Sequence, residues 1–151
     1  MIDLKRAARA DAPAVRSLVR AAYAKWVPVM GREPMPMLAD YDLAVQAHEV
    51  DLAYLNGQLA ALIELIVHPD HLFIENIAVA PDHQGKGLGR FLLAHAKTRA
   101  QSLGLTTIRL LTTQEMVGNI QLYQSDGYQI DRSEPFKGAV TVYMSKEIAA
   151  L

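Results

Sequence analysis

Three glycines at alternate positions, Gly85, Gly87 and Gly89, follow an apolar run ending Ile77-Ala78-Val79 and precede a helical apolar repeat. The chemistry open to such a strand–loop–helix is anion binding. Amides in the first turn of a helix have no intrahelical acceptor, and the macrodipole adds partial positive charge there. Glycines let that backbone approach a phosphate with no Cβ in the way. The stretch Gln84-Gly85-Lys86-Gly87-Leu88-Gly89-Arg90 therefore reads as a site for a phosphorylated cofactor.

Two familiar phosphate loops do not fit. A magnesium-nucleotide loop needs Ser or Thr after its lysine, and Lys86 is followed by Gly87. A dinucleotide fingerprint spaces its glycines Gly-x-Gly-x-x-Gly within a parallel βαβ unit, whereas here the spacing is Gly-x-Gly-x-Gly after an antiparallel meander. A plain flexible loop that merely opens a helix is the remaining alternative on residues alone.

Composition removes other classes. The 151 residues carry 15 Lys and Arg against 16 Asp and Glu, a net charge of −1, with no basic stripe for nucleic acid. No cysteine is present, so thiolate nucleophiles, thiolate metal sites and disulfides are excluded. His68-Pro69-Asp70-His71 lacks a third ligand at a regular spacing, and no metal site is expected. Asp3, Lys5, Arg6 and Arg9 interrupt any leader-like apolar stretch, and no apolar run reaches membrane-spanning length. A single cytoplasmic domain over residues 1–151, acting on neither nucleic acid nor membrane, is the expectation.

The elements that must position the loop follow from periodicity. Ile2 to Arg6 reads as a strand. Asp11 caps a helix with Pro13 in its first turn and Val15, Leu18, Val19 and Ala22 on one face. A proline-punctuated, methionine-rich loop runs from Gly31 to Met37, before a short helix at about Leu38 to Gln46. Strands at His48–Leu55 and Gln58–Val67 flank Asn56-Gly57, a hairpin signal, and a third runs Leu72–Val79. A helix from the glycine loop to about Leu103 is stopped by Gly104, and Thr106–Thr112 is a strand. Thr112 and Glu115 have capping-box spacing for a helix to Asp126, stopped by Gly127. Strands Tyr128–Phe136 and Val140–Ile148 close the chain across Lys137-Gly138. The order β-α-α-β-β-β-α-β-α-β-β predicts an α+β fold, three-layered α/β/α, with a mixed and mostly antiparallel sheet.

Gln84-x-x-Gly87-x-Gly89 after Ile77-Ala78-Val79 resembles motif A of the GNAT N-acetyltransferase superfamily. Leu122-Tyr123-Gln124-Ser125-Asp126-Gly127-Tyr128 resembles that family's motif B, and the order of elements matches across nearly the whole chain. The resemblance implies an enzyme that moves an acetyl group from acetyl-coenzyme A, as cosubstrate, to a primary amine of a small molecule or peptide. It assigns pantetheine contacts to the backbone of Ile77, Ala78 and Val79, with the Val79 amide polarising the thioester carbonyl. It assigns the pyrophosphate to amides of Gly85, Lys86, Gly87, Leu88, Gly89 and Arg90, and the role of general acid to Tyr123. One position departs from the pattern: Met116 stands where the family often has asparagine, and Asn119, one helical turn before Tyr123, is the substitute candidate for the coenzyme contact.

Within this frame Glu75 is the candidate base, acting through water, because it shares a strand face with Ile77 and Val79. A symmetric turn at His68–His71 pairs Val67 with Leu72 and sets Glu64 opposite Glu75. The mutual repulsion of two such carboxylates would favour one as a proton acceptor near neutrality. Tyr23, Trp26, Met30, Glu33, Met35, Met37 and Tyr41 lie where acceptors enter in this family and suit an amine with some apolar body. The same side chains would equally serve to pack the first helices onto the sheet. A non-catalytic acyl-coenzyme A-binding regulatory module is the alternative function, and the resemblance is compatible with a homodimer.

Overall fold

The computed structural model describes residues Met1–Leu151. Its elements are β1 (Ile2–Arg6), α1 (Ala12–Tyr23), α2 (Val27–Met30), α3 (Tyr41–Ala47), β2 (Glu49–Leu55), β3 (Gln58–Val67), β4 (Leu72–Val79), α4 (Leu88–Ser102), β5 (Thr107–Thr113), α5 (Val117–Ser125), β6 (Gln129–Phe136) and β7 (Ala139–Glu147). The strands form one mixed sheet in the order β1-β2-β3-β4-β5-β7-β6, as an α+β fold requires. β4 and β5 pair in parallel, from Leu72↔Ile108 to Ile74↔Leu110. The β1–β2, β2–β3, β5–β7 and β6–β7 pairs are antiparallel.

The chain divides into two compact units, Met1–Leu65 with Asn76–Leu92, and Ile66–Glu75 with Leu93–Leu151. The first is built on a cluster in which Val15, Val19 and Ala22 of α1 and Tyr41 and Ala44 of α3 join Val50, Leu52, Leu62 and Ala78 of the strands. Each fully buried Val or Leu there contributes about 1.5–3 kcal/mol, which is why the apolar stripe of α1 was legible as a buried face. In the second unit Leu72, Ile74, Leu93, Ala96, Ala100, Ile108, Leu110 and Met144 are buried. Two turns form as their residues dictate: Asn56-Gly57 at φ 52° and 80°, and Lys137-Gly138 at φ 50° and 79°.

Local differences from expectation have local causes. Asp11 stands at the N-cap of α1 as expected, but its side chain makes no capping bond to α1; its carboxylate accepts from the Ala8 amide at 2.8 Å, across the turn of 3-10 helix at Arg9–Asp11. The short helix begins later than read, at Tyr41, because Asp40 takes the N-cap and accepts from the Leu43 amide at 3.2 Å. The residues before it, Met35–Leu38, form a separate 3-10 turn. Thr112 lies inside β5 and caps nothing; Met116 is the N-cap of α5, with no side-chain capping bond. His48 ends α3 and does not begin β2.

Candidate active site

In the first unit, β4 delivers the chain into the glycine loop and the loop is fastened to the strand end. The Ala80 amide donates to the Ala60 carbonyl at 2.8 Å, and a 3-10 turn at Pro81–His83 follows. Gln84 then folds back, its Nε2 donating to the Val79 carbonyl at 3.1 Å while its Oε1 accepts from Lys25 Nζ at 3.0 Å. Its side chain thus works as a strut between strand and loop.

Gly85 and Gly87 sit at φ 78° and 83°, the left-handed region that favours glycine, and a Cβ on either would meet nothing within 4 Å. The two residues fix the loop's shape and leave open space beside it. Phe91 N bonds back to the Gly87 carbonyl at 3.0 Å, so the amides of Leu88, Gly89 and Arg90 form the first turn of α4, where no intrahelical acceptor exists. Leu88 is buried, while Lys86 and Arg90 are exposed.

Behind β4 lies a chain of polar groups whose centre sequence reading did not single out. The Tyr23 hydroxyl lies 2.7 Å from Asn76 Oδ1 and 3.3 Å from the Ile77 carbonyl. Asn76 Nδ2 donates to the Tyr41 hydroxyl at 3.3 Å, which in turn donates to the Pro36 carbonyl at 2.5 Å. The signal for Asn76 was parity: Leu72, Ile74, Asn76 and Ala78 are the buried positions of β4, and an amide on that face must find partners.

Two acidic residues assigned to the acceptor side are engaged. Glu33 accepts from Arg20 at 2.7 Å, and Glu64, 4 % exposed, lies 2.6 Å from His48 Nδ1. The symmetric register that would set Glu64 opposite Glu75 is not kept along the whole hairpin. His68 N donates to the His71 carbonyl as that register requires, but Ala80 N donates to the Ala60 carbonyl, one residue out of step. Asn76, whose side chain turns to Tyr23 and Tyr41, fixes the opposite orientation for its neighbour Glu75, which is exposed. Trp26 and Met30 are half-buried, and Lys25 Nζ lies 5.2 Å from the Trp26 ring.

The second unit holds Tyr123 in a fixed frame at the end of α5. The Tyr128 amide donates to the Tyr123 carbonyl and the Gly127 amide to that of Gln124, both at 3.0 Å, with Gly127 at φ 96°. This is the double-bonded glycine stop, and it brings the Tyr123 and Tyr128 rings to 6.1 Å between centroids. Burial pushes the Tyr123 phenol up to about 12. It raises Tyr128 further, with smaller contributions from the negative charges of Asp126 and an ionised Tyr123. Asn119 Nδ2 and Thr112 Oγ1 both approach Met116 Sδ at 3.6 Å, so the methionine that replaces the family's asparagine occupies the amide put forward as its substitute.

The Tyr128 hydroxyl is buried with no partner. Tyr128→Phe should therefore raise the thermal midpoint, by about 1 kcal/mol or more of stability. A phenol raised by folding contributes stability that is complete below its unfolded value near 10 and lost as pH rises toward its folded value. The variant should accordingly unfold at higher pH than the parent in an alkaline titration followed by circular dichroism. An unchanged alkaline midpoint and a lowered thermal midpoint would refute both expectations.

No group of three or more His, Asp or Glu side chains is placed to hold a metal ion, and no helix is long and apolar enough to cross a membrane. At the His68–His71 turn the two imidazoles stack at 4.5 Å, and His71 Nδ1 lies 2.7 Å from Asp70, a contact that lowers the Asp70 carboxyl.

The profile of the acetyltransferase (GNAT) family matches residues 14–128, from within α1 to the end of motif B. The chain belongs to that family. Among curated GNAT relatives, the [ribosomal protein bS18]-alanine N-acetyltransferase of Escherichia coli is 38 % identical over 73 residues, 48 % of this chain and 49 % of the relative. Streptothricin acetyltransferase of Streptomyces lavendulae is 36 % identical over 75 residues, 48 % of this chain and 40 % of the relative. The aligned stretches thus span about half or less of those relatives' length. The fold extends further: the crystal structure of the Escherichia coli S18-alanine enzyme superposes with a TM-score of 0.77 over 100 % of this chain and 96 % of its own, at 23 % identity. PaiA N-acetyltransferase from Thermoplasma acidophilum, solved in complex with coenzyme A, gives 0.79 over 97 % and 99 %, at 17 % identity.

Proposed function

We propose that this chain transfers the acetyl group of acetyl-coenzyme A to the nitrogen of a primary amine by direct attack. The observation that carries the reading is the loop: two left-handed glycines lead into the open first turn of a 15-residue helix and are strapped to the end of β4 by Gln84. Family membership and the coenzyme A bound by PaiA support the choice of cosubstrate.

The coenzyme supplies an activated thioester. The amides of Gly85–Arg90 hold its diphosphate, and the backbone of Ile77–Val79 aligns the pantetheine arm. The Val79 amide donates to the thioester oxygen as negative charge develops, a contribution worth about 10²–10³ in rate where such donors have been removed. Glu75, exposed on the β4 face it shares with Ile77 and Val79, takes the ammonium proton through water. The amine nitrogen bonds to the carbonyl carbon, the carbon–sulfur bond breaks, and Tyr123 donates its hydroxyl proton toward the departing sulfur. Because burial holds Tyr123 to about 12, full transfer to a thiolate is uphill and the phenol acts chiefly as a hydrogen-bond donor. On the acceptor side Tyr23, Trp26 and Met30 complete the assignment, while Glu33, Glu64 and Asn119 are held by Arg20, His48 and Met116.

The test is thiol release from acetyl-coenzyme A on addition of an amine panel, with calorimetry for coenzyme binding. Glu75→Gln should lower kcat/KM for the amine by about 10²-fold at neutral pH with coenzyme affinity unchanged. The deficit should shrink as pH approaches the amine's own pKa, where the free base no longer needs a proton acceptor. A deficit that stays constant with pH would remove Glu75 as the base; tight coenzyme binding with no acetylated amine would favour a regulatory module.

A further inference from the structure

We propose that Lys25 is a further coenzyme-binding residue, whose ammonium leaves the Gln84 side chain and takes a diphosphate oxygen when the coenzyme binds. The proposal rests on the transferase reading above and adds a group that neither sequence motif contains. Lys25 lies in the 3-10 turn Ala24–Trp26 that follows α1, 59 positions from the residue it meets. Its Nζ donates to Gln84 Oε1 at 3.0 Å, and Nε2 of the same amide donates to the Val79 carbonyl at 3.1 Å. The ammonium therefore stands one amide width from the group bound to the end of β4, on the residue that opens the glycine loop.

The backbone that carries Lys25 is anchored to the same strand. Two residues earlier, the Tyr23 hydroxyl lies 2.7 Å from Asn76 Oδ1 and 3.3 Å from the Ile77 carbonyl. Those contacts hold the end of α1 against the segment to which the reading assigns the pantetheine arm. Lys25 itself is exposed, and its long aliphatic stem lets the ammonium move from Gln84 to a neighbouring anion by rotamer changes alone. The anchor fixes which site the side chain can reach, and the stem leaves it free to exchange partners there.

The present partners of Lys25 are uncharged: the Gln84 amide oxygen, and the Trp26 ring at 5.2 Å. A cation resting on a neutral amide gains when a phosphate oxygen comes within reach, because charge-assisted hydrogen bonds are roughly twice as strong as neutral ones. The loop's own charged residues, Asp82, Lys86 and Arg90, are exposed. Lys25 differs from Lys86 and Arg90 in being already bonded to the residue at the head of the loop, so its charge is in place before the ligand arrives.

The experiment measures binding of coenzyme A and 3′-dephospho-coenzyme A by calorimetry, and of pantetheine by displacement of coenzyme A, to the parent, Lys25→Met and Lys25→Arg. Lys25→Met should weaken both diphosphate ligands about tenfold and leave pantetheine unchanged. Lys25→Arg keeps the charge and should bind both close to the parent. Added salt should weaken the parent's binding more steeply than that of Lys25→Met, which has one charge–charge contact fewer. An unchanged affinity in Lys25→Met, or a loss confined to the ligand that carries the 3′-phosphate, overturns the proposal. So does a loss shared by pantetheine, or one that is independent of salt and persists in Lys25→Arg, since a mere prop for Gln84 would give those results. Failure of the transferase reading would show separately, as a parent that binds neither diphosphate ligand.

Discussion

Tyr123→Phe should lower kcat by about 10²–10³-fold, the cost of removing a hydrogen-bond donor to developing charge, while leaving coenzyme affinity and the thermal midpoint near those of the parent. The substitution removes one hydroxyl from a side chain that is 9 % exposed and keeps the ring that packs on Tyr128. The glycine stop that places the residue is made by backbone groups of Tyr123, Gln124, Gly127 and Tyr128, so phenylalanine holds the same position. With burial holding the phenol to about 12, the donor is fully protonated at every pH at which the chain is worked. The parent's pH–rate curve should therefore show no fall below about pH 10 attributable to Tyr123. Stopped-flow thiol detection with both proteins measures the chemical step. Equal rates would remove Tyr123 from the reaction, and a rate deficit accompanied by lost coenzyme binding would recast it as a binding residue.

Gly87→Ala should weaken acetyl-coenzyme A binding by about 10- to 100-fold. A Cβ at Gly87 has open space around it, so crowding is not the obstacle; the cost is the φ of 83°, about 1–2 kcal/mol for an L-residue. The loop can relieve that strain only by rotating the peptide groups on either side, which turns the amides away from the diphosphate, and each 1.4 kcal/mol lost is a tenfold loss of affinity. Gly118→Ala is the contrast: Gly118 is in α5, with no positive φ and nothing within 4 Å of a Cβ, and alanine there should stabilise the helix by a few tenths to about 1 kcal/mol. Calorimetric titration of the two variants decides it. Parent-like affinity in Gly87→Ala would mean that the loop's main chain does not hold the coenzyme.

Much of this was legible in the chain before folding was considered. The alternation of Leu72, Ile74 and Ala78, the spacing of Val15, Leu18, Val19 and Ala22, and the turns at Asn56-Gly57 and Gly127 all report local preferences, and each element formed where its pattern placed it. Details at element ends followed which backbone amide a carboxylate took. Asp11 stands at the N-cap of α1 with its carboxylate on the Ala8 amide, and Asp40 caps α3, which starts past the 3-10 turn.

The candidate site was legible to the extent that it is made of backbone. Glycines at 85 and 87 and the helix after them set main-chain geometry through their own torsions, so the sequence by itself determined the loop and the stop that holds Tyr123. Only tertiary structure decided which side chains met. Glu64 went to His48, Glu33 to Arg20, Gln84 to Val79 and Lys25, and Asn76 to Tyr23 and Tyr41. Those contacts join residues up to 59 positions apart. A side chain's partner depends on where the sheet carries distant segments, and a one-residue slip in a hairpin turns a residue to the other face.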